Sequence, residues 1–405
     1  MLLGIRVRNF EMLRDTRVGV LGEEVFDGGD DPEHALAAGL VPAIPLESLT
    51  ALIGRNDTGK SSLFHAMHFL SDTVRHGARY ASTLHGRKGV TPLRSNGGPD
   101  PVVFDLAVRL PDPEETVLYH VVFDCDRFGR PHVSEEELLR ADFASRTTVP
   151  LMRLDGGHGR VDDGGEIPDA GVGNADATGL GTFGALVNHP LLHALHNMLT
   201  RWFFCDFLPA DGEPAAVSSP SSGGHRHIAP DGSNVENVLL YHREADPKAF
   251  EQILSRIRER MPGRRPIDRA VMDGKVSAAS RRLFTYLLML EDPRPRPLLC
   301  IDNPDEGLHH ESIDILAEEL RAYSLRNPES QVLFTTHNPY LLESMSPDEV
   351  WVFERKPLFT DTETDTARAR CAGADPVVRA MYAEGIGMGS MWYSGHFEPE
   401  DDDAS

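Results

Sequence analysis

Residues 49–70 read LTALIGRNDTGKSSLFHAMHFL, and their reading decides the fold. Leu49–Ile53 has the form of a short buried strand. The eight residues from Gly54 to Ser61 fit the phosphate-loop pattern G-x-x-x-x-G-K-[ST]. Leu63, Ala66, Met67, Leu70 and Val74 then recur at helical spacing. Strand, loop and helix follow in the order this motif requires. Gly54 and Gly59 let the backbone turn tightly and bring amides close to an anion. The helix that follows points its positive dipole end at the same place. Lys60 is placed to reach the β and γ phosphates of a nucleotide, and the Ser61 hydroxyl to ligate Mg²⁺. With Asn56 in the loop and Ser62 in the first helical turn, they complete the candidate nucleotide-binding set.

Working outward, the 405 residues predict two or three domains with ample core. No run of 18 apolar residues occurs, so no membrane span is expected. The N-terminal MLLGIRVRNF carries charge within its apolar stretch, unlike a signal peptide. Cys125, Cys205, Cys300 and Cys371 are far apart and match no metal spacing, so reduced thiols in a cytoplasmic protein are expected. The net charge of −23 excludes a general basic coat for nucleic acid. One basic cluster stands out on the predicted helix 247–261 and just beyond it: Arg256, Arg258, Arg260, Arg264, Arg265 and Arg269. It reads either as a solvated helix face or as a phosphate-backbone contact for DNA.

Residues 2–10 alternate as a strand, and Val18, Val20 and Leu21 point to a second one, both read as edge strands ahead of the phosphate loop. Gly and Asp at 27–31 read as a loop. Val102–Leu110 and Val117–Asp124 read as a strand pair across a Pro-Asp-Pro turn. Residues 134–142 read as a short acidic helix, with Ser134 and Glu137 as its capping box. The glycine-rich 156–184 reads as loop or disorder, as does 210–233. Residues 191–207 read as a buried helix running into a strand; further helices are expected at 235–242 and 280–290. Leu298–Ile301 is a continuous apolar run that ends in Asp302, the form of a central parallel strand delivering an acid at its C-terminal edge. A helix over 312–323 precedes a strand at 331–335, which runs into Thr336-His337-Asn338-Pro339, and another strand follows at 349–353.

Four pieces in order, IRVRNF, the phosphate loop, LLCIDNPDEGLHH and VLFTTHNPYLLE, with DGSNVENVLL as a softer one, resemble ABC-class P-loop ATPases of the RecF/SMC/OLD-like group, in particular bacterial predicted ATPases labelled AAA without a fused Toprim domain. The resemblance implies an α/β fold: an ABC/SMC-type head with a mixed sheet and an inserted α+β lobe. The head would comprise residues 1–75 and 265–355, the lobe 76–264, and a C-terminal extension with an acidic tail 356–405. It implies ATP and Mg²⁺ as cofactors, Ser61 and Asp302 as the metal-binding pair, and His337 as the switch histidine that senses the γ-phosphate. Ser277 would contact the nucleotide of a second protomer, so a homodimer closing on ATP is expected. Neither Leu308-His309-His310 nor any other cluster has the ligand set of a bound metal.

Three departures bear on hydrolysis. Asn303 stands where many relatives carry the glutamate that activates water, and an amide cannot take the proton. Asp305 or Glu306 is the nearest carboxylate in sequence that could replace it. Ala279 stands where the signature loop has glycine, and neither Gln252 nor Gln331 lies where the Q-loop glutamine is expected. Slow hydrolysis is the expectation. The resemblance further implies a role in DNA repair or in defence against phage and plasmids, with a separate effector or nuclease, since only 68 residues follow His337. A regulatory scaffold that hardly cleaves ATP and touches no DNA is the alternative.

Overall fold

The computed structural model describes residues 1–27, 32–37, 42–207, 223–261, 267–356 and 366–397. Its strands are β1 (Leu2–Phe10), β2 (Leu13–Gly19), β3 (Leu49–Ile53), β4 (Val102–Pro111), β5 (Glu114–Cys125), β6 (Pro131–Asp142), β7 (Thr147–Asp155), β8 (His158–Asp162), β9 (Glu166–Gly171), β10 (Phe203–Cys205), β11 (Leu298–Ile301), β12 (Gln331–Thr335), β13 (Val350–Lys356) and β14 (Thr366–Cys371). They form two sheets, with the orders β2-β1-β4-β5-β6-β7-β8-β9 and β10-β11-β12-β3-β13-β14. The first is antiparallel throughout. The second is parallel from β10 to β13 and closes with antiparallel β14, so it is mixed.

The second sheet is buried on both faces, which is why its strands read as continuous apolar runs. Leu298, Cys300 and Leu333 face the phosphate-loop helix Lys60–His76 and the first sheet. Leu299, Ile301, Val332 and Phe334 face the opposite way, onto the helices Val235–Ala245, Pro247–Arg260, Ala278–Leu290 and His310–Arg326. The phosphate-loop helix is therefore enclosed between the sheets. Phe69 on it meets Phe10, Phe104 and Phe123 of the first sheet at centroid distances of 5.9, 6.4 and 5.5 Å.

Several expectations change. Residues 134–142 are part of β6 and not a helix. The acidic run misled because Glu136 points inward: its carboxylate is buried and accepts from the Tyr119 hydroxyl at 2.8 Å and from the amides of Gly179 and Leu180. No capping box forms there; Ser134 Oγ instead contacts the Val122 carbonyl at 3.4 Å. The glycine-rich 156–184 holds β8, β9 and the short helix Gly179–Phe183. Its glycines make hairpin turns, with Gly156 and Gly157 at φ 54° and 81° between β7 and β8. The second strand is Leu13–Gly19, and β1 lies between β2 and β4, not at an edge. The polar stretch after 356 contributes β14 to the second sheet and continues into the helices Pro376–Ala383 and Met388–Tyr393. Residues 28–31, 208–222 and 398–405 lie outside the described residues, and with them most of the expected 27–31 loop, part of the 210–233 loop and the acidic tail.

The sheets do not divide where the expected domains do. β1 and β2 share a sheet with the strands of 76–264, while β10 from that segment joins the second sheet beside β11. One side chain ties the sheets together. Gln331, fully buried at the start of β12, accepts from the Leu2 amide at 2.9 Å and donates to the carbonyls of Leu2 and Glu47, both at 2.9 Å. Gln331→Leu strips a partner from the buried amide and carbonyl of Leu2 and one of two donors from the part-buried Glu47 carbonyl. Chemical denaturation is expected to show a loss of roughly 3 kcal/mol, and a loss under about 0.5 kcal/mol, the range of surface changes, would refute the clamp.

Candidate functional site

β3 feeds the loop 54–59, whose backbone takes conformations that side chains resist. Gly54 and Gly59 have φ 143° and 99°, and Asp57 between them has φ 60°. A Cβ on Gly54 would stand 2.2 Å from the Phe353 carbonyl oxygen, and one on Gly59 2.7 Å from Ala367 Cβ. Only glycine fits both places. Thr58 Oγ1 donates to the Arg55 carbonyl at 2.9 Å and closes the loop on itself. Asn56 is exposed at its tip. The helix Lys60–His76 starts directly from Gly59, and no side chain caps its first turn. Ser61 is half-buried and Ser62 buried in that turn. The uncapped amides and the positive end of the helix dipole face the loop.

Lys60 is folded over this cradle. Its Nζ donates to the carbonyls of Gly54 at 2.8 Å and Arg55 at 2.7 Å. Burial lowers its pKa from 10.5 to about 8, against the pull of Asp302 and Asp57. A buried ammonium over an uncapped helix start is the donor set of a phosphate site.

The ends of β11 and β12 complete the groove. Ile301 pairs with Phe334, and Thr335 with Leu52, so β11, β12 and β3 all end at the same edge. The Thr335 hydroxyl, fully buried, holds the first two loop residues after β11: it donates to Asp302 Oδ1, accepts the Asn303 amide at 2.9 Å and lies 3.3 Å from Asn303 Oδ1. Asn303 has φ 43°, a left-handed conformation that asparagine tolerates better than most side chains. Thr336 Oγ1 donates to Asp305 Oδ1 at 2.8 Å. Partial burial and the Lys60 ammonium lower the His337 pKa, while Asp305 and Asp302 act the other way. Burial and the ammonium thus both favour the neutral imidazole. Lys60, Asp302, Asp305 and His337 thus share one electrostatic neighbourhood.

Ser277 is not brought to the phosphate loop by any contact among the described residues. It caps the helix Ala278–Leu290, accepting the Ser280 amide at 3.2 Å and donating to Ser280 Oγ at 2.9 Å. Of the basic cluster, Arg264 and Arg265 lie outside the described residues. Arg256, Arg258 and Arg260 are paired within the chain: Arg256 with Glu291 at 2.6 Å, Arg258 with Glu251 at 2.6 Å and Asp268 at 3.0 Å, and Arg260 with Glu291 at 3.0 Å and Glu319 at 2.5 Å; Arg269 is exposed and makes no ion pair among the described residues.

Two groups at the groove escape the sequence reading. Asp206 follows the three-residue strand β10 and stands beside Asp302; partial burial, then the Asp302 carboxylate, holds its pKa above the usual aspartate value. Arg282 is buried and donates from Nη2 to the Asn303 carbonyl at 3.2 Å. No motif marks Asp206, since β10 is too short to show a period, and Arg282 lies at the end of the signature stretch 276–282 without a role read for it. Elsewhere, His68, Asp72 and His85 form a cluster of metal-type side chains. Their ligand atoms lie within 4.8 Å of one another, but Arg87 already pairs with Asp72 at 2.7 Å and the two imidazoles stack with centroids 4.0 Å apart. This is a structural knot in which His68 also stacks on Phe204 of β10 at 4.4 Å.

A family model described as "AAA domain, putative AbiEii toxin, Type IV TA system" matches residues 206–343, about a third of the chain. The match spans Asp206, Ser277, Asp302, Asn303 and His337 and leaves the phosphate loop outside. Among solved structures, the chain is similar to an SMC head bound to the C-winged helix domain of ScpA, at 11% identity, with 91% of this chain and 97% of that one covered and a TM-score of 0.47. It is similar to the SMC head domain from Thermotoga maritima at 13% identity, covering 91% and 98%, with a TM-score of 0.42. A third is an Smc head domain with an extended coiled coil bound to the C-terminal domain of ScpA derived from Pyrococcus furiosus, at 12% identity, covering 95% and 98%, with a TM-score of 0.47. No curated protein matches. The order of the parallel strands, the phosphate loop and the family match over about a third of the chain fit an α/β fold of the P-loop ATPase kind.

Two outcomes follow from this geometry. Thr335→Val leaves the Asn303 amide without its acceptor and is expected to lower folding stability by about 1–3 kcal/mol in urea, with Thr335→Ser losing clearly less; equal losses would show that the hydroxyl is idle. For Lys60, the unfolded side chain keeps its proton to 10.5 while the folded one releases it near 8. Stability therefore rises with pH across that window as the penalty of burying the cation disappears. Affinity for pyrophosphate, measured by calorimetry, falls over the same window, and an affinity flat across it would contradict the placement of Lys60.

Proposed function

We propose that the chain binds ATP with Mg²⁺, hydrolyses it slowly and dimerises on it, so as to control a separate effector or nuclease in DNA repair or in defence against phage and plasmids, in the manner of OLD-like ATPases. The observation that carries the reading is the convergence of Lys60, Asp302 and His337 on one groove in which Asn303 takes the position of an activating carboxylate. The matched family's description names a toxin of a type IV TA system, which agrees with the defence half of the reading. No described helix is long and apolar enough to cross a membrane, in keeping with a cytoplasmic role.

In this mechanism Lys60 leaves the carbonyls of Gly54 and Arg55 and turns to the β and γ phosphates, with amides of the loop and the first helical turn donating to their oxygens. Ser61 and Asp302 are the residues that would hold Mg²⁺, which when bound neutralises phosphate charge. The neutral His337 imidazole is suited to contact the γ-phosphate and to register its loss. Ser277, exposed at the start of its helix, is free to meet the nucleotide of a second copy. Asn303 can orient a water through its amide but cannot accept its proton.

A second reading has support of its own. Three of the four described arginines of the basic cluster, Arg256, Arg258 and Arg260, are paired within the chain, which favours an ATP-binding scaffold with negligible hydrolysis and no DNA contact over a DNA-binding ATPase. Steady-state phosphate release separates the two. We expect slow release by the native chain and an increase of at least about tenfold for Asn303→Glu, within the 10²–10⁴ span of general-base catalysis. Lys60→Ala abolishes nucleotide binding. Fast release by the native chain, unchanged in Asn303→Glu, would contradict the slow-switch reading, and tight binding by Lys60→Ala would contradict the site.

A further inference from the structure

Hydrolysis as proposed above lacks a carboxylate at position 303, and the neighbouring strand supplies one. β10 runs parallel to β11 with Cys205 paired to Ile301. The next residues, Asp206 and Asp302, therefore leave the sheet side by side, about 4.8 Å apart by strand spacing. Their backbones are anchored: the Asp302 amide donates to the Cys205 carbonyl at 3.4 Å, and the Asp206 amide to the Pro230 carbonyl at 2.9 Å.

The three acids at this edge differ in their engagement. The Asp302 carboxylate is held by Thr335 and that of Asp305 by Thr336. The Asp206 side chain is exposed to the groove, and its carboxylate has no hydrogen-bond partner among the described residues. Of these three, Asp206 is the acid left free to take a new ligand; Glu306, on the loop after β11, is exposed as well. Charges converge on it from each packed element: Asp302 from the end of β11, Arg282 from the helix Ala278–Leu290, Glu306 from the loop after β11 and His65 from the phosphate-loop helix.

Arg282 adds the second observation. It is 6% exposed, yet its Nε and Nη1 find no acceptor, while Nη2 holds the Asn303 carbonyl. Leaving N–H groups of a buried guanidinium unsatisfied is unfavourable. They sit where an anionic group drawn into the groove, or Asp206 itself, would satisfy them. The helix that carries Arg282 begins at Ser277, so the groove and the surface proposed to meet a second copy are joined by one rigid element.

We propose that Asp206 is the carboxylate that activates the attacking water, and that Arg282 positions it. The proposal rests on the reading of the chain as an ATP hydrolase. In the step, a lone pair of the water oxygen forms a bond to the γ-phosphorus. The bond from that phosphorus to the bridging oxygen breaks, and its electron pair leaves with ADP. The water proton passes to an Asp206 carboxylate oxygen and then to solvent, which regenerates the base. Asp206 replaces in space, from an adjacent strand, the function that position 303 has lost in sequence.

The test measures phosphate release together with nucleotide affinity and thermal midpoint. For Asp206→Asn we expect turnover to fall about 10²-fold or more, with nucleotide affinity held within about threefold. In the double variant Asp206→Asn/Asn303→Glu a carboxylate is restored from the other strand, and most of the lost turnover returns; this arm also shows that the fold survives the first change. Arg282→Lys retains more turnover than Arg282→Met, with affinity unchanged in both. Asp206→Asn at the native rate, in a chain whose turnover still requires Lys60, overturns the proposal and leaves the ATPase reading standing. A native chain that binds ATP through Lys60 but releases no phosphate overturns both. If Asp206→Asn does not fold, the Arg282 pair decides, and equal turnover in Lys and Met variants overturns the positioning role.

Discussion

The site depends on the in-register parallel pairing of β11, β12 and β3. That register brings Asp302, Thr335 and Gly54 to one edge of the sheet, although they come from three distant parts of the chain. The register is strongly specified because both faces of the sheet are buried. A slip of one residue would move Leu298 and Cys300 out of the core beside the phosphate-loop helix and into the one on the other side. Gln331 fixes the same strand lengthwise, by holding the backbone of β1 and of the segment leading into β3. The geometry at the strand ends is thus set by packing some distance away.

Given that alignment, a few polar groups do the local work. Thr335 orders the loop after β11 with a single hydroxyl. Lys60, enclosed by the loop it folds over, has its charge weakened by burial, and it donates to carbonyls that can be exchanged for phosphate oxygens. The loop backbone holds positive φ at Gly54, Asp57 and Gly59, a conformation that the close approach of Phe353 and Ala367 leaves to glycine. In the proposed reading these features form a preorganised anion site in which binding and cleavage are separable, since the group at position 303 is an amide.

Much of this was legible in the sequence, for physical reasons that can be named. The phosphate loop has residue types that chemistry demands at fixed spacing, and Leu298–Ile301 is an unbroken apolar run because its strand is buried on both faces. Other parts were not legible. β6 hides a buried glutamate inside an acidic run, so its period looked like a helix surface until Tyr119 and two backbone amides were seen to satisfy Glu136. β8 and β9 owe their existence to tertiary pairing, and their glycine-rich turns imitate disorder. Asp206 lies outside every motif and Arg282 ends the signature stretch with no role legible there; only the pairing of β10 with β11 and the packing of one helix reveal them. The arginines of the basic cluster looked available in sequence, whereas their partners Glu291, Asp268 and Glu319 come from other elements.

The central claim is that nucleotide at the phosphate loop joins two copies of this chain. Sedimentation of the full chain with Mg²⁺, with and without a hydrolysis-resistant ATP analogue, tests it most directly. The account predicts a monomer without nucleotide, a dimer with the analogue, and a monomer under both conditions for Lys60→Ala. A mass indifferent to nucleotide, or a dimer that forms equally well in Lys60→Ala, would contradict it.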